Sequence, residues 1–153
     1  MELFEQQAGG KSMTEPHWEH FPHQADVGVR GCGPTRDAAF EQAALALTGA
    51  VCDPHIVRSI DRIEVDCEAE DDEMLLVAWL NALIYEMATR RMMFGRYRVQ
   101  IADGRHLHAE ASGEPVDIPR HQPAVEPKGA TVTELRVAEA SPGNWLAQCV
   151  VDV

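Results

Sequence analysis

Basic side chains are scarce in this chain. Its 153 residues hold 13 Lys and Arg against 25 Asp and Glu, a formal net charge of −12. Proteins that hold free nucleic acid draw affinity from counterions released by basic groups, so strong direct nucleic-acid binding is not expected. Long apolar runs are missing too; no stretch approaches the roughly 18 residues that a membrane-spanning helix needs. The N-terminus has no charged-then-apolar signal pattern, so the expected location is the cytoplasm, with no membrane partner. The four cysteines (Cys32, Cys52, Cys67 and Cys149) form no Cys-x-x-Cys pair. Cys67 and Cys149 fall in phase with apolar strand residues, which predicts buried thiols rather than disulfides or zinc. Also absent are a Gly-x-Ser-x-Gly elbow, a phosphate-cradling loop ending in Lys-Ser/Thr, and a His-Glu-x-x-His helix. His20-x-x-His23 lies on extended chain broken by Pro22, with no further ligand at zinc spacing. Without a nucleophile constellation, no enzymatic activity is expected.

What is present fits one globular domain. The hydrophobic fraction is 45% and the mean hydropathy −0.25. Residues 1–15 show little periodicity and are expected to be a flexible leader, leaving residues 16–153 as the folded domain. Ala25, Val27 and Val29 alternate with Asp26, Gly28 and Arg30, the period-2 pattern of a half-buried strand. Gly31 to Pro34 then breaks the pattern, and Thr35 offers a helix N-cap. Phe40, Ala43, Ala44 and Leu47 predict one buried helix face, with Gly49 as its stop. A strand follows at Ile63, Val65 and Cys67. A second helix carries Leu75, Leu76, Trp79, Leu80, Leu83 and Met87 in a broad apolar stripe.

The second half reads as strands. Tyr97 to Ile101 and Leu107 to Ala111 are joined by a tight hairpin at Asp103-Gly104. After a loop-rich section, a strand over Val132, Leu135 and Val137 slips phase. The last strand is the cleanest, with Trp145, Ala147, Cys149, Val151 and Val153 on one face. The order β-α-β-α-β-β-β-β predicts an α/β (α+β) fold: two layers, with a mostly antiparallel or mixed sheet and two helices packed on it.

Hard-cation binding is better motivated than zinc. Asp26 sits on the first strand and Asp152 on the last, next to Val153. If those strands meet, two carboxylates and the terminal main chain converge, and oxygen-only ligation suits calcium or magnesium. The plain alternative is a solvated Asp26, or one paired to Arg30.

The chain also resembles a known family, the archeases, from Trp18 to its last residue. The matching pieces are Trp18-Glu19-His20, His23-Gln24-Ala25-Asp26-Val27-Gly28-Val29 and Phe40-Glu41-x-Ala43-Ala44-x-Ala46-Leu47. They continue through Glu68-Ala69-Glu70-Asp71, Trp79-Leu80-Asn81-x-Leu83, Gly113-Glu114, Arg120-His121, Val125-Glu126-x-Lys128 and Trp145-x-Ala147 to Asp152-Val153. Their order along nearly the whole domain carries the likeness. Gln24 departs from the family's usual Thr, and Gly129 stands as an extra residue after Lys128.

The resemblance implies the archease fold and an activator of the RNA-splicing ligase RtcB in tRNA splicing, promoting guanylylation and turnover of that enzyme. It implies a divalent-ion site at Asp26, Asp152 and Val153, for calcium first and magnesium or manganese next. His23, Asp71 and Lys128 are secondary polar candidates. Two other readings are a general chaperone or modulator of RNA-modifying enzymes such as methyltransferases, and a metal-dependent hydrolase.

Overall fold

The computed structural model describes residues 14–153. Of the expected leader, residues 1–13 lie outside the described residues. The Thr14 amide donates to the Gly143 carbonyl at 2.9 Å, and its hydroxyl bonds Asn144 Oδ1 at 2.6 Å.

The chain opens with a hairpin of β1 (His17–His23) and β2 (Asp26–Gly33), then runs into α1 (Arg36–Val51). A 3-10 turn leads to β3 (Asp61–Glu68) and α2 (Asp72–Arg90). Next come β4 (Met92–Ala102), β5 (His106–Pro115) and the short α3 (Ile118–His121). The chain ends with β6 (Gly129–Ala130), β7 (Arg136–Ser141) and β8 (Asn144–Asp152). All pairings among the described strands are antiparallel, as expected, but they form two sheets rather than one. One has the order β1-β2-β8-β6 with β7 also on β8, and the other is β3-β5-β4. Helix α1 packs on both sheets, against β2 and β8 on one side and β4 on the other.

The expected cap of α1 is in place, and α2 has one that the sequence reading did not assign. Thr35 Oγ1 accepts from the Ala38 amide at 3.0 Å, and Asp71 Oδ1 from the Met74 amide at 2.8 Å. Phe40, Ala43, Ala44 and Leu47 of α1 are fully buried, as are Leu75, Leu76, Trp79, Leu80 and Leu83 of α2. Each such large side chain contributes on the order of 1.5–3 kcal/mol by leaving water. Trp79 Nε1 donates to the Phe40 carbonyl at 3.1 Å, so the largest buried ring also satisfies its one polar group.

Four local expectations are corrected. The stretch around Pro22, expected only as extended chain, is the strand β1, His17–His23. A His20 ring nitrogen meets the Ala46 carbonyl at 2.8 Å, tying the strand to α1. Strand β2 continues through Gly31 to Gly33 rather than breaking there. Helix α1 runs past Gly49 to Val51, and Gly49 is instead a seat for Trp18: an added Cβ would lie 2.5 Å from the indole. The phase slip between Val132 and Leu135 is a turn separating β6 from β7, with Glu134 at φ 55°. All four cysteines are free thiols; three are buried and Cys67 is half-buried.

Candidate functional site

One tight chain reversal and the β2–β8–β6 pairing build the site. Between β1 and β2 the turn is only Gln24 and Ala25, with Gln24 at φ 55°, so His23 and Asp26 pair directly across it. Strand β2 then aligns Val27 with Val151 of β8. One step further in that register, Asp26 faces Asp152, which in turn pairs with Gly129 of β6. His23, Asp26 and Asp152 therefore form a row across three strands, on the face opposite Val27 and Val151. Directly opposed Cβ atoms in such rows are roughly 4.5–5.5 Å apart.

Main-chain bonds close the corner. The Val153 amide donates to Asp26 Oδ1 at 3.2 Å, and the Lys128 amide donates to the Asp152 carbonyl at 2.8 Å. Asn81 of α2 accepts from the Ala130 amide at 2.8 Å and holds β6 beside Asp152. Thr131 donates its hydroxyl to the Val150 carbonyl at 2.8 Å. The structure thus brings Asp26, Asp152, Val153, His23 and the Lys128 backbone together. Asp71 is engaged elsewhere, as the cap of α2.

Arg30, the alternative partner for Asp26, is occupied. Its Nε donates to Gln148 Oε1 at 2.8 Å, it pairs with Glu19, and its guanidinium stacks 4.8 Å above the Phe21 ring. Phe21 lies flat over Gly28, where a Cβ would come within 2.4 Å of the ring. The bare position on β2 is thus filled by a neighbour's aromatic ring.

The donor set at the corner is two carboxylates and the Val153 main chain, with an imidazole adjacent. Among the described residues no group of three or more His, Cys, Asp or Glu side chains is set to hold a metal ion. An ion at Asp26 and Asp152 therefore needs main-chain or solvent oxygens to complete its shell, which suits a hard cation. The thiols offer no nucleophile: burial pushes Cys149 up to about 12 and Cys67 up to about 11, so both stay protonated at neutral pH.

Sequence reasoning missed a second polar cluster. Glu114, at the end of β5, is only 3% exposed. Arg120 pairs with its Oε1, and the Arg58 amide donates to its Oε2 at 2.8 Å. His121 Nε2 lies 3.0 Å from the same Oε2, while the Asp117 amide donates to His121 Nδ1 at 2.8 Å. That donation fixes the tautomer: Nδ1 accepts and Nε2–H points at the carboxylate. With both oxygens engaged, Glu114 is a clamp between β5, α3 and the Arg58 loop. Its only sequence signal was the paired appearance of Gly113-Glu114 and Arg120-His121, without periodicity. Beside it, Met87, Met92, Met93, Val116, Ile118 and Val125 line a cavity of about 440 Å³. These methionines are buried, as expected of core fillers.

Comparison with known proteins gives a consistent answer. The family model "Archease protein family (MTH1598/TM1083)" matches residues 18–153. The chain is 39% identical over 139 residues to a protein archease of Thermococcus gammatolerans, covering 89% of this chain and 98% of the relative. It is 36% identical, with the same coverage, to a protein archease of Pyrococcus furiosus. The solution structure of Methanobacterium thermoautotrophicum protein 1598 superposes with a TM-score of 0.76 at 27% identity, covering 89% of this chain and 98% of that one.

Proposed function

The chain belongs to the archease family, and from that premise we propose that it acts as an accessory activator of the RNA-splicing ligase RtcB. In this reading the corner of Asp26, Asp152 and Val153 holds a divalent cation, calcium foremost, and the protein promotes guanylylation of the ligase and its turnover. The observation that carries the proposal is the cross-strand meeting of Asp26 and Asp152, with the Val153 amide already on Asp26 Oδ1. Two carboxylates at one sheet corner repel each other unless a cation sits between or beside them, and oxygen donors select a hard ion. When bound, such an ion supplies positive charge that phosphate oxygens can meet. The side chains themselves orient: Asn81 fixes β6, Thr131 fixes the Val150 carbonyl, and His23 flanks Asp26 from the neighbouring strand.

The test is substitution at the carboxylates. Asp26→Ala removes one charged ligand and one main-chain hydrogen bond, the latter worth about 0.5–1.5 kcal/mol. The fold should survive, while calcium binding falls by orders of magnitude, because ligand charge count sets affinity in such sites. Asp152→Ala should behave alike. Both variants should lose stimulation of ligase guanylylation while melting within a few degrees of wild type. Full stimulation with wild-type calcium binding would rule out the site. Calcium binding lost with stimulation intact would separate the ion from the activation.

A further inference from the structure

We propose that the cavity beneath residues 116–127 binds a small amphipathic monocarboxylate, its aliphatic tail among the methionines and its carboxylate on Arg91. The inference does not depend on the reading of the corner at Asp26 and Asp152.

The cavity exists because two apolar clusters meet there without merging. Met87 and Met92 belong to the main core, whereas Val51 and Met93 belong to a smaller cluster with Val116 and Val125 packed on it. The segment from Val116 to Pro127 roofs the seam and is tied down at two points. The Val116 amide donates to the Arg91 carbonyl at 2.9 Å, and the Ala124 amide to the Val51 carbonyl at 2.8 Å. Between those ties about 440 Å³ stays open, with a mostly apolar lining. Interiors are otherwise packed with few voids larger than a water molecule. A volume of this size falls within the roughly 300–1,000 Å³ of pockets that hold small organic ligands. Three methionines in its wall can reshape around an aliphatic chain, because that side chain is unbranched and adaptable.

Charge at the mouth selects the head of the ligand. Only two lining residues carry charge, Arg91 and Glu126, and both are exposed, so they stand where the cavity opens to solvent. Cations nearby in sequence or on the roof are engaged: Arg90 with Glu86, and Arg120 with Glu114. Arg91 has no ion-pair partner among the described residues, although Glu126 lies on the same rim. Its backbone is a second sign. Arg91 caps α2 in the left-handed conformation, φ 55°, a position that glycine usually takes. A long cationic side chain held there at a conformational cost is accounted for by what its guanidinium binds.

A guanidinium is a planar fork that meets a carboxylate through two hydrogen bonds. A carboxylate seated on Arg91 leaves its attached chain to enter the apolar space behind. Glu126 limits the head to one negative charge, since a dianion would meet repulsion across the mouth. The net charge of −12 works against any anion, so a preference for one must come from this local cation.

The test is calorimetric titration of the full-length protein with decanoate, kept below its micellar concentration. Decyltrimethylammonium, with the same tail and the opposite charge, is the control. Decanoate should bind one per chain with a Kd below about 1 mM and shift the methyl NMR signals of Met87, Met92 and Met93. The ammonium should bind at least about tenfold more weakly. Arg91→Gly should weaken decanoate about tenfold, yet melt no lower than wild type, because glycine is at ease at φ 55°. Glu126→Gln should act in the opposite direction and tighten it. Ala88→Trp, at an exposed lining position of α2, should fill the mouth and abolish binding with an unchanged melting temperature. The proposal is overturned if the ammonium binds as well as decanoate, or if Arg91→Gly leaves the affinity unchanged. Methionine signals that stay put at saturating decanoate would overturn it equally, since the ligand would then lie elsewhere.

Discussion

A single buried carboxylate, Glu114, makes the sharpest case at the scale of the residue. Its hydrogen bond from Arg120, helped by the Arg58 amide and His121, lowers it from the usual range to about 2. Unfolded, a glutamate titrates near 4.3. Because the folded value is the lower one, the stabilisation is complete above the unfolded value and is lost as pH falls from there toward 2. Wild-type protein should therefore lose stability steeply over that acid window. Glu114→Gln should be less stable at neutral pH and flatter across it, which thermal melts at stepped pH will show. Parallel wild-type and variant profiles would mean that Glu114 does not titrate with folding.

Two expectations follow for whole elements, both from helices whose local rules give the wrong sign or the wrong role. In an exposed helix, Gly→Ala stabilises by about 0.5–1 kcal/mol. At Gly49 of α1 the new methyl would meet the Trp18 ring at 2.5 Å, and crowding of that kind costs about 1–3 kcal/mol. Gly49→Ala should therefore lower the melting temperature, and Trp18→Ala in the same chain should recover part of the loss. Asp71→Ala should cost about 1 kcal/mol as the loss of an N-cap, while leaving calcium binding untouched. A change in calcium binding would return Asp71 to the ion site. The elements themselves were largely legible: Thr35, the Phe40 to Leu47 face and the Leu75 to Met87 stripe all behave as their spacing dictates. Strand β1 was not, because Trp18 and His20 meet tertiary partners on α1, at Gly49 and Ala46, rather than following an apolar rule. Gly49 misled for the same reason, its role being set by a ring 31 positions away in sequence.

For the molecule as a whole, the charge of −12 predicts weak RNA binding. Gel shifts with a single-stranded RNA at physiological salt should show nothing in the nanomolar range; a nanomolar complex would overturn that expectation. Alternation singles out Asp26 and Asp152 as polar strand residues, yet local pattern alone does not bring them together. Only the resemblance along the whole chain, and then the β2–β8 register, joined them. The Glu114 clamp stayed hidden because its members sit in loop-rich sequence, where no period marks burial.

The central position of β8 has a consequence for how the molecule is made. It pairs with β2, β6 and β7, so one sheet of the fold cannot close until residues 144–152 exist. The hairpin of β1 and β2 is synthesised about 110 residues earlier, which at roughly 5–20 residues per second is a wait on the order of 10 s. Throughout that interval β2 presents an open edge, and such edges recruit other strands. Pairing across so long a separation also slows the final step, since loop closure precedes its reward. The corner of Asp26 and Asp152 is therefore assembled last, so cation binding there would mark a chain that has finished folding.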